Sequence, residues 1–476
     1  MALAPAAGAR TSITVGPGTV GKRIPGGFLG LSIEYRTVLG YAGTDPSATN
    51  PVFVQLMRNL VPGQRPVIRI GGDSTDVTWW PVPQMTKPPG VKIVLTDNWM
   101  HVAHAMAQAL DARLILGINL EANSRQLASA EANEFLNVIG RRWVNAFEIG
   151  NEPELYSSYA WYRTSAGVPV PGRPAGWGFQ DYVKEFSAIA GALPSVPIAG
   201  PATGSAHWLP LLDSFIDDEK RASLITVHAY PLKHCGGGKQ YVPVSALLSD
   251  AASKGLASWM GPYVALAHSR GLPLRIDETN SITCGGQEGV SNSFASALWA
   301  ADAMYQLARV GADGVNIHSS PSVPNVLFTF TQSGGRWQGA VNPDYYGLLL
   351  FARAAPAHSS ILSVSGSSQP GLTTWATRGP DHHERIVMIN KDITHWRNLA
   401  VSAPGTSGPG TLQVLRAPSV SSLSHVTLGG QSFGSSTRTG VLSGHRNWPV
   451  VQPHNGQYFV RLRPGSAALL TVARVG

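Results

Sequence analysis

Two carboxylates in this sequence stand where they can do chemistry. The run Phe147-Glu148-Ile149-Gly150 leads into Asn151-Glu152-Pro153-Glu154, and Leu274-Arg275-Ile276-Asp277 leads into Glu278-Thr279-Asn280. Short apolar runs of this kind read as buried strands, so Glu152 and Glu278 each occupy a strand exit. Two carboxyl groups facing each other across a cleft suffice to hydrolyse a glycosidic bond, one protonating the leaving oxygen while the other attacks the anomeric carbon. Three neighbouring acids compete for these roles. Glu148 lies inside its apolar run and reads as half of a buried ion pair, whereas Glu154 lies beyond Pro153 on the loop. Asp277 precedes Glu278 by one residue, and side-chain alternation along a strand predicts that only one of the two faces the cleft.

Such a pair needs a rigid frame. Between residues 28 and 355 short apolar runs alternate with longer amphipathic segments, the pattern of repeated strand–helix units around a parallel sheet. Eight runs are present, at residues 28–34, 67–71, 113–120, 144–150, 197–200, 224–228, 274–277 and 314–318. Eight strands close a (β/α)8 barrel, in which functional groups project from the C-terminal strand ends. Glu152 at the fourth exit and Glu278 at the seventh then face each other across the mouth. Helices are expected over 52–60, 100–110, 124–139, 179–191, 209–218, 244–269, 292–310 and 345–354. Beyond residue 355, turns rich in Ser, Gly, Thr and Pro separate β-rich pieces at 372–377, 385–390, 411–415 and 467–473. These predict an antiparallel β-sandwich. One early β-type run, 11–15, has no helix after it and is assigned to that sandwich. The expected organisation is therefore an α/β chain, a TIM barrel over 24–355 with a sandwich built from 9–23 plus 356–476.

Composition excludes several other classes. Charged residues are 13% and hydrophobic ones 43% of the 476, with 13 Trp, which is unlike a disordered chain. The net charge of +8 is spread without any run of Lys or Arg, so no nucleic-acid arm is expected. No stretch reaches the ~18–20 apolar residues of a membrane helix. The small residues of Met1-Ala-Leu-Ala-Pro-Ala-Ala-Gly-Ala resemble the mature side of a signal cleavage site and predict a secreted or periplasmic protein. The two cysteines, Cys235 and Cys284, form either one disulfide or two unrelated thiols. Because each lies on the loop leaving one of two adjacent strands, the sixth and the seventh, a Cys235–Cys284 bond across one rim of the mouth is predicted.

Further motifs narrow the reading. Arg69-Ile70-Gly71-Gly72-Asp73-Ser74-Thr75-Asp76 follows the second strand, His228-Ala229-Tyr230 the sixth, Cys284-Gly285-Gly286 the nucleophile position and Asn342-Pro343-Asp344-Tyr345-Tyr346 the eighth. With Asn151-Glu152 and Glu278, these resemble glycoside hydrolase family 79, which includes heparanases and β-glucuronidases, over the whole chain. The resemblance implies that Glu152 is the acid/base, Glu278 the nucleophile and Asn151 the partner of the sugar 2-hydroxyl. It implies that Tyr230 contacts the nucleophile and that Asp76, and Glu34 at the first exit, bind glycone hydroxyls. The amides of Gly285 and Gly286 would hold the glucuronate carboxylate, and Tyr345 would add a hydroxyl contact. Thr283-Cys284 departs from the Tyr that relatives tend to carry before those glycines.

The function expected is a retaining, exo-acting β-glucuronidase, monomeric and taking a glucuronic-acid-containing glycoside. No cofactor and no metal are expected, nor any nucleic-acid or membrane partner. The alternatives are a retaining β-glycosidase for neutral sugars, an endo-acting heparanase-like enzyme, and a non-catalytic carbohydrate-binding barrel.

Overall fold

The computed structural model describes residues 10–235, 240–366 and 368–474. Eight parallel strands close a barrel: Leu29–Glu34, Val67–Gly71, Arg113–Ile118, Val144–Ile149, Ile198–Thr203, Ala222–His228, Leu274–Thr279 and Gly314–His318, the last pairing with the first. They are apolar along most of their length because helices cover the outside of the barrel and side chains fill the inside. In the first, second, fifth and seventh strands every residue is buried. The C-terminal ends of all eight open onto one face.

Two expected helices prove to be interrupted. The segment 124–139 divides into Arg125–Glu134 and a π-helical turn, Phe135–Gly140. The segment 244–269 divides into Val244–Leu247, a π turn at Ala251–Gly255 and Leu256–Ser269. A hairpin, Phe328–Ser333 with Arg336–Val341, follows the eighth strand and was not anticipated.

A ten-stranded sheet lies beside the barrel. Strand Thr11–Thr19 joins it, antiparallel to Ser360–Gly366 but parallel to Arg397–Ser402, so the sheet is mixed where an antiparallel one was expected. Its central strands are buried on both faces. Val387, Ile389, Ala467 and Leu469 pack toward the barrel, while their neighbours Ile386, Met388, Ala468 and Leu470 pack with Ile13, Val15, Leu399 and Val401 into a second core. Two helices separate sheet from barrel, Phe294–Arg309 and Pro343–Ala354, and both are buried almost throughout. Where they meet the sheet, Lys391 Nζ lies 2.5 Å from Asp302 Oδ2 with both side chains buried, and Trp375 Nε1 donates to Asp302 Oδ1 at 2.8 Å.

Candidate active site

The geometry at the barrel mouth begins with backbone. Glu152 has φ of 44°, the left-handed region that a non-glycine residue enters only at a cost of ~1–3 kcal/mol. Its N–H donates to Ala202 O at 2.9 Å, and Pro153 after it disfavours the right-handed alternative. At Glu278 the seventh strand is irregular: Val227 pairs with Ile276 but His228 pairs with Glu278, so one extra residue is accommodated between them. Such a bulge breaks the two-residue alternation. Asp277 and Glu278 therefore both reach the Arg69 guanidinium, which overturns the expectation that only one could face inward.

Arg69, fully buried at the end of the second strand, organises this cluster. Nε donates to Glu148 Oε2 at 2.6 Å, Nη1 to Glu278 Oε2 at 2.5 Å and Nη2 to Asn151 Oδ1 at 2.8 Å. Glu148 is thus the buried ion-pair partner that its position implied. Because guanidinium only donates, Asn151 must present its oxygen to Arg69, which leaves Nδ2 without a partner among the described residues. Below the mouth, burial and the nearby Glu148 push the Asp277 carboxyl well above its ordinary range. Glu148 moves down, burial opposing and Arg69 and a hydrogen bond with Asp277 prevailing. One proton shared by the two acids, held on Asp277, satisfies oxygens that would otherwise lack a donor.

Glu278 is ringed by groups that favour its charged form. Tyr230 Oη donates to Oε1 at 2.9 Å, and His318 Nδ1 stands 3.6 Å from Oε2. Burial alone would raise this carboxyl, but His318, His228, Arg69 and the Tyr230 hydrogen bond hold it well below the usual carboxylate range. His228 Nδ1 lies 2.9 Å from Glu152 Oε1. Burial and Arg69, 3.3 Å from Nε2, disfavour charge on this ring. Glu278 and the Glu152 hydrogen bond outweigh them and push it up to about 10. One oxygen of Glu152, one of Glu278 and a ring nitrogen of His228 lie within 4.8 Å of one another. A protonated His228 and the Arg69 charge suit a pair of acids there better than a bound cation.

The other expected residues divide. Glu34 stands in the mouth, accepting from Ser74 N at 2.8 Å with Oε1 3.7 Å from His318 Nε2. Gly72, at φ +71°, makes room for it, since a β-carbon there would come within 2.6 Å of Glu34 Oε1. Asp76 does not face the sugar site. It is buried, Oδ1 accepts from Leu120 N and Glu121 N, and Oδ2 accepts from Asn151 N and Tyr156 Oη, which leaves no lone pair for a ligand. Its work is to fix the fourth exit. Tyr345 does not reach the mouth either: fully buried, it donates to Leu56 O at 2.8 Å and packs on Phe328 and Phe433. Gly286 N–H is spent on Thr283 O at 3.2 Å, which leaves Gly285 N–H the freer donor of the expected pair. Both glycines hold φ above +80°. Cys235 and Cys284 form the predicted disulfide, and Thr283 N donating to Leu232 O at 3.0 Å ties the two loops again. Lys239, whose charge the sequence places on the loop after Cys235 beside the expected uronate pocket, lies outside the described residues.

One mouth residue was missed. Asp73 opens to solvent, yet burial by the surrounding loops, then Glu34, Glu278 and Glu152, push its carboxyl up to about 7, and it has no hydrogen-bond or ion-pair partner among the described residues. Its signal was its place directly after Gly71-Gly72 at the second exit. Glu154 accepts from Gly204 N at 3.0 Å.

Fold and carboxylate pair are together those of a (β/α)8 glycoside hydrolase. No family model matches the chain. Among curated proteins it is similar to a β-glucuronidase of Neurospora crassa, 22% identical over 413 residues that span 76% of this chain and 71% of that protein. A β-glucuronidase of Aspergillus niger is 26% identical over 361 residues, 68% of this chain and 64% of the relative. Among solved structures, a 4-O-α-L-rhamnosyl-β-D-glucuronidase from Fusarium oxysporum superposes with TM-score 0.74 at 19% identity, over 97% of this chain and all of that one. The GH51 arabinofuranosidase from Xanthomonas axonopodis pv. citri gives 0.68 at 15% identity, over 97% of this chain and 99% of that one. The structural likenesses are likenesses of fold, and both curated relatives are β-glucuronidases.

Proposed function

We propose that the chain is a retaining β-glucuronidase that removes terminal β-linked glucuronic acid. The observation that carries this reading is the approach of Glu152 and Glu278, an oxygen of each within 4.8 Å of the other. Inverting enzymes keep the two carboxyls ~6.5–9.5 Å apart to admit a water, whereas direct attack needs about 5–5.5 Å. Glu152 gives its proton to the leaving oxygen while Glu278 attacks C1. The C1–O bond breaks, the aglycone departs as an alcohol and a glycosyl ester forms. Water, deprotonated by Glu152, then attacks C1, the ester bond to Glu278 breaks to return its carboxylate, and the sugar leaves with its configuration retained and Glu152 again protonated. Arg69 and Tyr230 keep Glu278 ionised and aimed. Consumption of its charge in the ester removes the repulsion that a newly ionised Glu152 would meet. Asn151 Nδ2 suits the 2-hydroxyl, Glu34 and Asp73 suit other hydroxyls, and Gly285 N–H beside the disulfide suits the uronate. The hairpin of Ala160–Arg163 and Pro169–Pro171, with Trp161 Nε1 donating to Asp76 O at 2.8 Å, walls the second exit and favours exo action. The disulfide suits an oxidising compartment.

The test is hydrolysis of an aryl β-glucuronide beside the matched β-glucoside, β-xyloside and α-L-arabinofuranoside. Preference for any neutral glycoside would overturn the glucuronide reading. With azide, Glu278→Ala should yield the α-glycosyl azide and Glu152→Ala the β-glycosyl azide; interchanged configurations would reverse the two roles.

A further inference from the structure

A second concave surface lies outside the catalytic cleft. It is a groove of about 490 Å³, lined among others by Thr49, Pro51, Gln332, Arg336, Trp337 and Arg438. That volume falls within the ~300–1,000 Å³ of small-ligand sites. Its walls come from three places. The segment between the first and second barrel strands supplies Thr49 and Pro51, the latter opening the helix Pro51–Leu60, and the hairpin after the eighth supplies Gln332, Arg336 and Trp337. A loop of the accessory sheet supplies Arg438, locked to the hairpin by Thr437 N donating to Gly339 O at 2.7 Å and Gly339 N to Thr437 O at 2.8 Å. The eighth and first strands are neighbours, so the groove flanks the side of the mouth where Glu34 and His318 stand.

The chemistry of the groove is specific. Arg336 and Arg438 are exposed and make no ion pair or side-chain hydrogen bond among the described residues. The acid on the adjoining loop, Asp45, is occupied by the amide and hydroxyl of Ser47 at 2.8 and 2.7 Å. Two like charges drawn into one groove repel each other, and a bound carboxylate or sulfate relieves that repulsion while accepting paired hydrogen bonds from the guanidinium forks. Trp337, next to Arg336, packs so close to Gly43 that a β-carbon there would lie 3.2 Å from its ring, and a half-buried indole of this kind is a surface on which sugar faces stack.

We infer that this groove is an accessory binding site for an acidic polysaccharide, holding anionic units of the polymer beside the mouth. The choice of a glycan rests on the proposed activity, but binding is measured without turnover, so the two readings fail separately. Affinity electrophoresis through polygalacturonate, dextran sulfate or neutral dextran provides the test, on wild type, on Arg336→Ser/Arg438→Ser and on a charge-matched control, Lys254→Ser/Arg416→Ser, whose positions are exposed elsewhere. Wild type should be retarded by one or both polyanions and not by dextran. The groove variant should weaken retardation at least about tenfold, the control less than about twofold, with melting temperatures and aryl β-glucuronide turnover unchanged. Retardation by polygalacturonate alone identifies a carboxylate ligand, and by dextran sulfate alone a sulfate. Equal losses in the two variants, or no retardation by either polyanion, would overturn the inference.

Discussion

Tyr230 supports the candidate nucleophile through one donated hydrogen bond, and hydrogen bonds to charged groups are worth ~1.5–3 kcal/mol. Tyr230→Phe should therefore lower kcat/KM by about 10- to 100-fold. The sign of its pH effect follows from what the hydroxyl does. It favours the ionised form of Glu278, so its loss raises that carboxyl, and the acid limb of the pH–rate profile should move to higher pH. An unmoved acid limb in the measured profile would assign the hydroxyl to binding alone. Glu148 and Asp277 sit one step further in, where their shared proton lets two acids flank one arginine without three uncompensated negative charges in the barrel.

Asp302 and Lys391 join the helix Phe294–Arg309 to the accessory sheet, and neither side chain is more than 2% exposed. Removing one partner leaves a buried charge, so Asp302→Ala should cost about 3–5 kcal/mol in denaturant unfolding. Asp302→Ala/Lys391→Met should recover most of that loss. At this scale the sequence was legible wherever burial was uniform. The eight barrel runs stood out because strands covered on both faces are apolar throughout, and the carboxylate exits followed from their order. What failed depended on one residue of register or on tertiary partners. Nothing in Ile276-Asp277-Glu278 announces a bulge, and Asp76 carries the same chemistry whether its acceptors are amides or sugar hydroxyls. Tyr345 looked equally suited to a cleft or a core. The hairpin, by contrast, carries a visible signal in Gly334-Gly335 between two β-type runs.

For the whole molecule, several buried carboxyls sit far above their ordinary range, chiefly through burial: Asp344 up to about 8, Glu121 up to about 9 and Glu154 up to about 7. Between pH 5 and 9 the folded chain therefore binds more protons than the unfolded one, and the slope of stability against pH is negative there. His228 acts in the same direction. Its folded value lies above its unfolded one, so its contribution is full below about pH 6.5 and is lost as pH rises through about 10. Melting temperature should fall from pH 5 to pH 9, and a rise over that interval would contradict these assignments. The strand Thr11–Thr19 has a different consequence. Its hydrogen-bonding neighbours, Ser360–Gly366 and Arg397–Ser402, are made some 350 residues later. During synthesis this strand must wait, its edges unpaired, until residues 360–402 have left the ribosome. Barrel and sheet thus differ in timing: the barrel can close once Gly314–His318 is made and meets Leu29–Glu34, whereas the sheet takes in Thr11–Thr19 across a longer sequence separation and later in synthesis.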